Sequence, residues 1–427
     1  MGDSMKGVLA ISALCCLSMW LYTSFILVGR QEREAAAYGT PRGSLSDLYP
    51  VWLGSRELLL DGKNPYSEEV TRAIQAGYYG RALDPMRKQD PINQQAFAYP
   101  VYVAFLLAPT IRLPFAEVAA SFRWLLAFLT ALSVFLWLRF LFWRPHWTAN
   151  ATFVLLVLGT FAAVQGIRLE QLSLLVAALI AASMALLSSG HLVPSGMLLA
   201  LAMIKPQLAL PLAACLLLWS LGDWRARARL DASFLVSTAA LALAGEYLLP
   251  GWVSKFWEAS RAYLNYAAGG SLLEEMLARR VGIALAYLIA MALAFLGWRR
   301  RHLSAEDPRF REFVCLVLAV TVIIIPMFPP HYQLLLLPGA LLLVRYRREL
   351  WVQGRVARVL LLVAAVLLFW QWASAAVLVA AAWLGVNVER IWHLPLWTTV
   401  LLPIPLAACL LLATRRLIQP RKLETDH

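Results

Sequence analysis

The sequence predicts an all-α integral membrane protein: a GT-C-like bundle of about twelve transmembrane helices in one polytopic domain, 1–427, with a long outer loop carrying interfacial helices. Three observations predict it. Of 427 residues, 61% are hydrophobic and only 15% charged, where soluble domains carry roughly half and a quarter. The mean hydropathy is +0.66. The apolar residues also come in runs long enough to cover a bilayer core of about 30 Å. These runs are too continuous for barrel strands, so helices must satisfy the backbone. A soluble globular protein and a disordered chain are both excluded.

The predicted spans lie at 7–29, 97–113, 117–142, 149–166, 171–189, 192–220, 231–250, 280–298, 312–327, 332–345, 357–384 and 395–414. The first run is longer than a signal-peptide core and no A-x-A-like site follows it, so it is kept as a helix. The second and tenth are short enough to be broken or re-entrant. The net charge of +13 would suggest nucleic acid in a soluble protein. Here the basic residues cluster between apolar runs (Arg299–Arg301, Arg345–Arg348, Arg415–Lys422), as the positive-inside bias requires. With both termini in the cytoplasm of a cell (inner) membrane, those clusters face inward. The Ser189 and Met327 turns, which carry no Lys or Arg, then face outward. The loops at 30–96 and 251–279 are also extracytoplasmic. The five cysteines all lie inside apolar runs, without metal or disulfide spacing.

The 30–96 loop is too long for a connector. Within it, Ser46-Asp47-Leu48-Tyr49-Pro50-Val51-Trp52 opens a helix that Asp61-Gly62 ends and Asn64-Pro65-Tyr66 turns away from. Its apolar side, with Trp52 and Tyr49, is expected to lie in the membrane interface. Asp47 has two readings: an N-cap carboxylate, or a general base held at the membrane surface. The 251–279 segment, with Trp252, Trp257, Tyr263 and Tyr266, reads as a second interfacial element.

Polar residues inside apolar runs come next. Lys205, in Met203-Ile204-Lys205-Pro206-Gln207, falls mid-run. A charge there costs on the order of 2.5–3.5 kcal/mol, so it marks either an internal ion pair with Glu246 or Glu170 or a cation facing an anionic ligand. Gln165-Gly166-Ile167-Arg168-Leu169-Glu170-Gln171 reads equally as a cytoplasmic turn and as a helix break lining a cavity. Pro329-Pro330-His331-Tyr332-Gln333 opens the tenth span; His331 is either a solvated loop residue or a phosphate donor. No nucleotide-binding glycine loop, zinc motif or D-x-D pair occurs, and no repeat relates the halves.

Taken in order, these segments resemble glycosyltransferase family 87. The residues that carry the resemblance are Asp47 in Ser-Asp-Leu-Tyr-Pro-Val-Trp, Gly62 with Asn64-Pro65-Tyr66, and Phe97-Ala98-Tyr99-Pro100. Gln165-Gly166 with Gln171, Ile204-Lys205-Pro206-Gln207 and His331-Tyr332 complete them. Val101 stands where the family usually has a second proline. The resemblance implies a GT-C fold and a polyprenyl-phosphate sugar as donor, with no cofactor and no metal. It implies transfer of a hexosyl, most plausibly mannosyl, residue to a lipid-linked or glycan acceptor on the outer face, with inversion. Asp47 is then the catalytic residue and Lys205 and His331 the donor-phosphate ligands; Tyr66, Tyr99, Gln171, Gln207 and Tyr332 line the substrates. An arabinofuranosyl donor is the nearest variant, and a transporter or lipid flippase the competing class.

Overall fold

The structure, a computed structural model, describes residues 2–37, 46–84, 86–266 and 269–416. Every regular element among them is helical. The chain opens with α1 (Gly2–Leu21), a π-helical stretch (Tyr22–Leu27) and α2 (Val28–Ala37), which form one continuous rod from Lys6 to Ala37. It runs past the predicted end of the first span, so the outer segment starts later than residue 30. Two helices follow, α3 (Leu48–Asp61) and α4 (Glu68–Tyr79). Gly62, at φ 66°, closes α3 in the left-handed conformation that glycine adopts without strain. The Asn64 side chain accepts from Tyr66 N (3.1 Å) to make the predicted turn.

The remaining elements are α5 (Val103–Leu107), α6 (Phe115–Phe140), α7 (Trp147–Leu158), α8 (Phe161–Arg168), α9 (Leu172–Leu187), α10 (Leu192–Leu201), α11 (Pro206–Ser220) and α12 (Trp224–Leu248). Then come α13 (Trp252–Tyr266), α14 (Leu272–Met276), α15 (Arg279–Arg300), α16 (Pro308–Ile324), a 3-10 turn (Pro330–Leu336), α17 (Leu337–Arg345), α18 (Arg347–Val352), α19 (Arg355–Trp383), α20 (Trp397–Leu401) and α21 (Pro403–Arg416). Six helical stretches are long and apolar enough to cross a membrane, or seven if α7 and α8, bent by 59° at their junction, count as one. The other apolar helices are shorter, so the predicted count of twelve does not appear as twelve full-length spans.

Three expectations need correction. The predicted span at 97–113 contains only α5, of five residues, and a 3-10 turn, because Pro100, Pro109 and Pro114 interrupt it. The predicted span at 192–220 is not one crossing either. Its two halves form a hairpin with Lys205 at the tip. Gly196, in α10, packs on Leu230 and Phe234 of α12, while the Trp219 carbonyl, at the end of α11, accepts from Arg227 of α12 at 2.7 Å. Both ends of the hairpin therefore sit near the start of α12. Finally, the apolar side of α3 packs on protein and is not left free for a bilayer surface. Leu48, Trp52 and Leu58 are buried in the main core, with Trp52 and Tyr49 against Phe115.

The basic helix ends share one face. Arg227 donates to the carbonyls of Arg301 (2.5 Å) and Leu303 (2.8 Å). Arg311 donates to Leu141 O (3.0 Å), which Arg345 also engages. The Ser189 turn belongs to this face too, because Arg139 donates to Ser189 Oγ at 3.0 and 3.2 Å. It thus lies opposite the Met327 turn rather than beside it, contrary to the predicted alternation. The opposite end gathers the Met327 turn, the start of α9, the tip at Lys205 and the segment around Asp47.

Candidate active site

The site is assembled from helix ends. Ser46 Oγ accepts from Leu48 N (3.0 Å) and so performs the capping expected at the start of α3. Asp47 makes no side-chain cap bond, so its carboxylate is free for other work. Its backbone is clamped instead: Asp47 N donates to Leu169 O (2.9 Å), and Ser46 Oγ donates to the same carbonyl at 3.3 Å. The break at Gln165–Gln171 therefore lies directly against the Asp47 segment.

Gln171 joins the carboxylate to the ammonium. Its Nε2 donates to Asp47 Oδ2, and its Oε1 accepts from Lys205 Nζ at 2.8 Å and from Ser173 Oγ at 3.2 Å. The amide orientation follows from chemistry: an ammonium only donates and a carboxylate only accepts. Among the described residues Lys205 has no carboxylate partner. Glu170 is taken by Arg123 (2.6 Å), and Glu246 accepts from Gly251 N (2.7 Å). The Lys205 ammonium lies instead over the rings of Tyr99 (5.4 Å) and Tyr332 (5.5 Å), an arrangement that stabilises a desolvated cation.

Two helix N-termini meet here. Gln171 precedes α9 and Lys205 precedes α11, and neither end is capped by a side chain. Pro206 at the first position of α11 suits a helix start, since its missing N–H is needed by no one. Unpaired N–H groups and the positive ends of two helix dipoles favour an anion between them.

His331, on the 3-10 turn, is buried and packs edge-on against Tyr332 with ring centroids 5.0 Å apart. Gly166 makes this approach feasible: a Cβ there would stand 2.3 Å from Leu174 Cδ1 and 3.2 Å from His331 Cβ. His331 Nδ1 and Gln165 Oε1 are buried without a hydrogen-bond partner among the described residues. Such groups are costly unless a ligand satisfies them. Gln207 Nε2 donates to the Tyr332 hydroxyl at 3.2 Å. The Tyr66 hydroxyl donates to the Tyr99 carbonyl at 2.6 Å and so fixes the backbone at Tyr99.

Burial pushes the Asp47 carboxyl above the usual aspartate value, outweighing the Gln171 hydrogen bond and the Lys205 charge that lower it. Sequence reasoning missed the Arg123–Glu170 pair. Glu170, with φ 47° and 1% exposure, holds a conformation unusual for a non-glycine residue. Its only sequence signal was a carboxylate in an apolar context.

The fold is a helical bundle with six or seven stretches long and apolar enough to cross a membrane, and its polar cluster ties a carboxylate through an amide to an ammonium beneath two helix N-termini. The sequence model of glycosyltransferase family 87 matches residues 97–326, over half of the chain. The chain belongs to glycosyltransferase family 87 and is a glycosyltransferase. The matched stretch contains Tyr99, Gln171, Lys205 and Gln207; Asp47 and the His331–Tyr332 pair lie outside it. No curated protein matches the chain.

Proposed function

We propose that the protein transfers a hexosyl residue, most plausibly mannosyl, from a polyprenyl-phosphate sugar to a lipid-linked or glycan acceptor at the extracytoplasmic face. The observation that carries this reading is the Asp47–Gln171–Lys205 chain, which holds an acid and a cation apart yet within one chamber. A sugar phosphate needs both: a base for the incoming hydroxyl and positive charge for the departing phosphate.

Asp47 takes the proton of the acceptor hydroxyl as its oxygen attacks the anomeric carbon. The bond from that carbon to the phosphate oxygen breaks on the opposite side, through an oxocarbenium-like state, and the anomeric centre inverts. Lys205, His331 and the N-termini of α9 and α11 stabilise the charge that develops on the leaving phosphate. Tyr99 and Tyr332 hold Lys205 in place while excluding water. Gln171 keeps Asp47 from closing an ion pair with Lys205, which would cancel both roles.

The prenyl tail has a matching path. An apolar groove of about 150 Å³ begins at Gln333, the neighbour of Tyr332, and a second of about 670 Å³ shares Ala340, Val344, Leu368 and Phe369 with it. The smaller lies between α7, α8, α17 and α19, and the larger between α17, α18, α19 and α21 at the basic end. The termini and the basic face lie in the cytoplasm on this reading, and the chamber lies on the other side.

The test uses purified protein, radiolabelled polyprenyl-phosphate mannose and polyprenyl-phosphate arabinofuranose, and a membrane acceptor extract. Native protein is expected to form product from the mannose donor, and Asp47→Asn at least about a hundredfold less, the loss expected when a general base is removed. Undiminished turnover by Asp47→Asn rejects its role; product from the arabinose donor alone replaces the sugar.

A further inference from the structure

At the basic end of the bundle, α6 stops at Phe140 and the chain turns through Leu141–Pro145 into α7. The turn is held firmly. Phe142 sits in the left-handed region (φ 49°), and the Leu141 carbonyl is engaged by both Arg311 and Arg345. Beside it opens a cleft of about 630 Å³ whose lining includes Arg139, Arg144, Asn150, Ser188 and Ser189, and no acidic residue. It stands at the opposite end of the molecule from Asp47 and takes no part in the chemistry above.

Both arginines are short of negative charge. Arg139 donates only to the neutral Ser189 hydroxyl, and among the described residues neither Arg139 nor Arg144 forms an ion pair. The helix C-terminus accounts for a cation at Arg139, in the last turn of α6. It does not account for Arg144 beyond the turn. Asn150 Oδ1 is buried with no hydrogen-bond partner among the described residues, an acceptor suited to a hydroxyl donor. Directly along α6 from the cleft, Phe135, Phe128 and Trp124 are exposed by 47, 63 and 80% on a membrane-crossing helix. Two guanidinium groups and a serine hydroxyl match a phosphodiester, and an apolar helix face alongside matches acyl chains.

We propose that this cleft binds an anionic glycerophospholipid, with its phosphodiester on Arg139 and Arg144, a headgroup hydroxyl toward Asn150 and its chains along α6. Charge complementarity selects this occupant over a zwitterionic lipid, whose choline would meet two cations and no carboxylate. The hydroxyl favours a glycerol or other polyol headgroup.

The test is native mass spectrometry of the full chain released from mixed micelles. The probes are phosphatidylglycerol and phosphatidylcholine with identical chains, and inorganic phosphate alone. We expect one phosphatidylglycerol retained with at least about tenfold preference over phosphatidylcholine. Arg144→Gln, which removes no bond that holds the fold, should reduce that preference several-fold, and Arg139→Gln/Arg144→Gln should abolish it. Arg225→Gln/Arg229→Gln, a change of equal charge at exposed sites elsewhere on the same face, should leave it intact, and all variants should keep glycosyl transfer. Equal retention of the two lipids, or equal loss in the Arg225/Arg229 control, means unspecific attraction and overturns the site. Retention of inorganic phosphate without lipid preference overturns the lipid assignment.

Discussion

Gln171→Leu tests the chamber most directly, because one side chain makes three of its bonds. The substitution keeps the volume but removes the donor to Asp47 and the acceptor for Lys205 (2.8 Å) and Ser173 (3.2 Å). A hydrogen bond to a charged group contributes about 1.5–3 kcal/mol, so the gross loss over two charged partners is about 3–6 kcal/mol. Asp47 is only partly buried by surface accessibility, and water entering the chamber restores part of this. We therefore expect about 2–3 kcal/mol in transition-state stabilisation, a fall in kcat/KM of about 30–150-fold. The pH profile supplies the specific signature. The Asp47 carboxyl is already raised by burial, and the Gln171 bond is what most opposes that rise. Removing the bond raises it further. Because the base acts only when ionised, the acid limb of the kcat/KM profile should move to higher pH. The assay is initial-rate transfer from a radiolabelled donor, measured from acid to neutral pH on variant and native protein. An acid limb that stays in place, or a loss below about threefold, refutes the bridging role.

Other outcomes follow from the same geometry. Asp47→Asn should raise the thermal midpoint at neutral pH. A carboxyl whose folded pKa is raised destabilises the fold above its unfolded value, so the gain should vanish in acid below that value; a lower midpoint at neutral pH contradicts the burial argument. Arg123→Ala strands the buried Glu170 carboxylate, and breaking such a pair costs up to about 3–5 kcal/mol, less here because Arg123 is half-exposed. Turnover should drop, and adding Glu170→Gln should restore much of it in a double-mutant cycle; strict additivity would deny the coupling. Lys205→Ala should weaken donor binding, read by equilibrium titration, since no carboxylate competes for the ammonium; a native affinity would remove Lys205 from the phosphate site. A cysteine at Glu69, 71% exposed on α4, should react with an impermeant thiol reagent on intact cells, and protection would reverse the orientation.

Apolar run length alone established the fold class and most long helices, because a segment that must satisfy its own backbone in lipid has one solution. It also marked Lys205, since a charge inside an apolar run is costly unless something repays it; Asp47 stood out only as the opening residue of a helix in the polar loop. Which way a short helix runs was beyond its reach. The 192–220 run is continuous in hydropathy, and only packing on α12 turns it into a hairpin with Lys205 at its tip. The same holds for α3. Its apolar side fits a bilayer surface or a protein core equally, and only Phe97, Phe115 and the neighbouring helices decide for the core. Hydropathy is a property of neighbours along the chain, whereas the Gln171 bridge joins residues far apart in sequence, and that proximity exists only once the helix ends have been packed together.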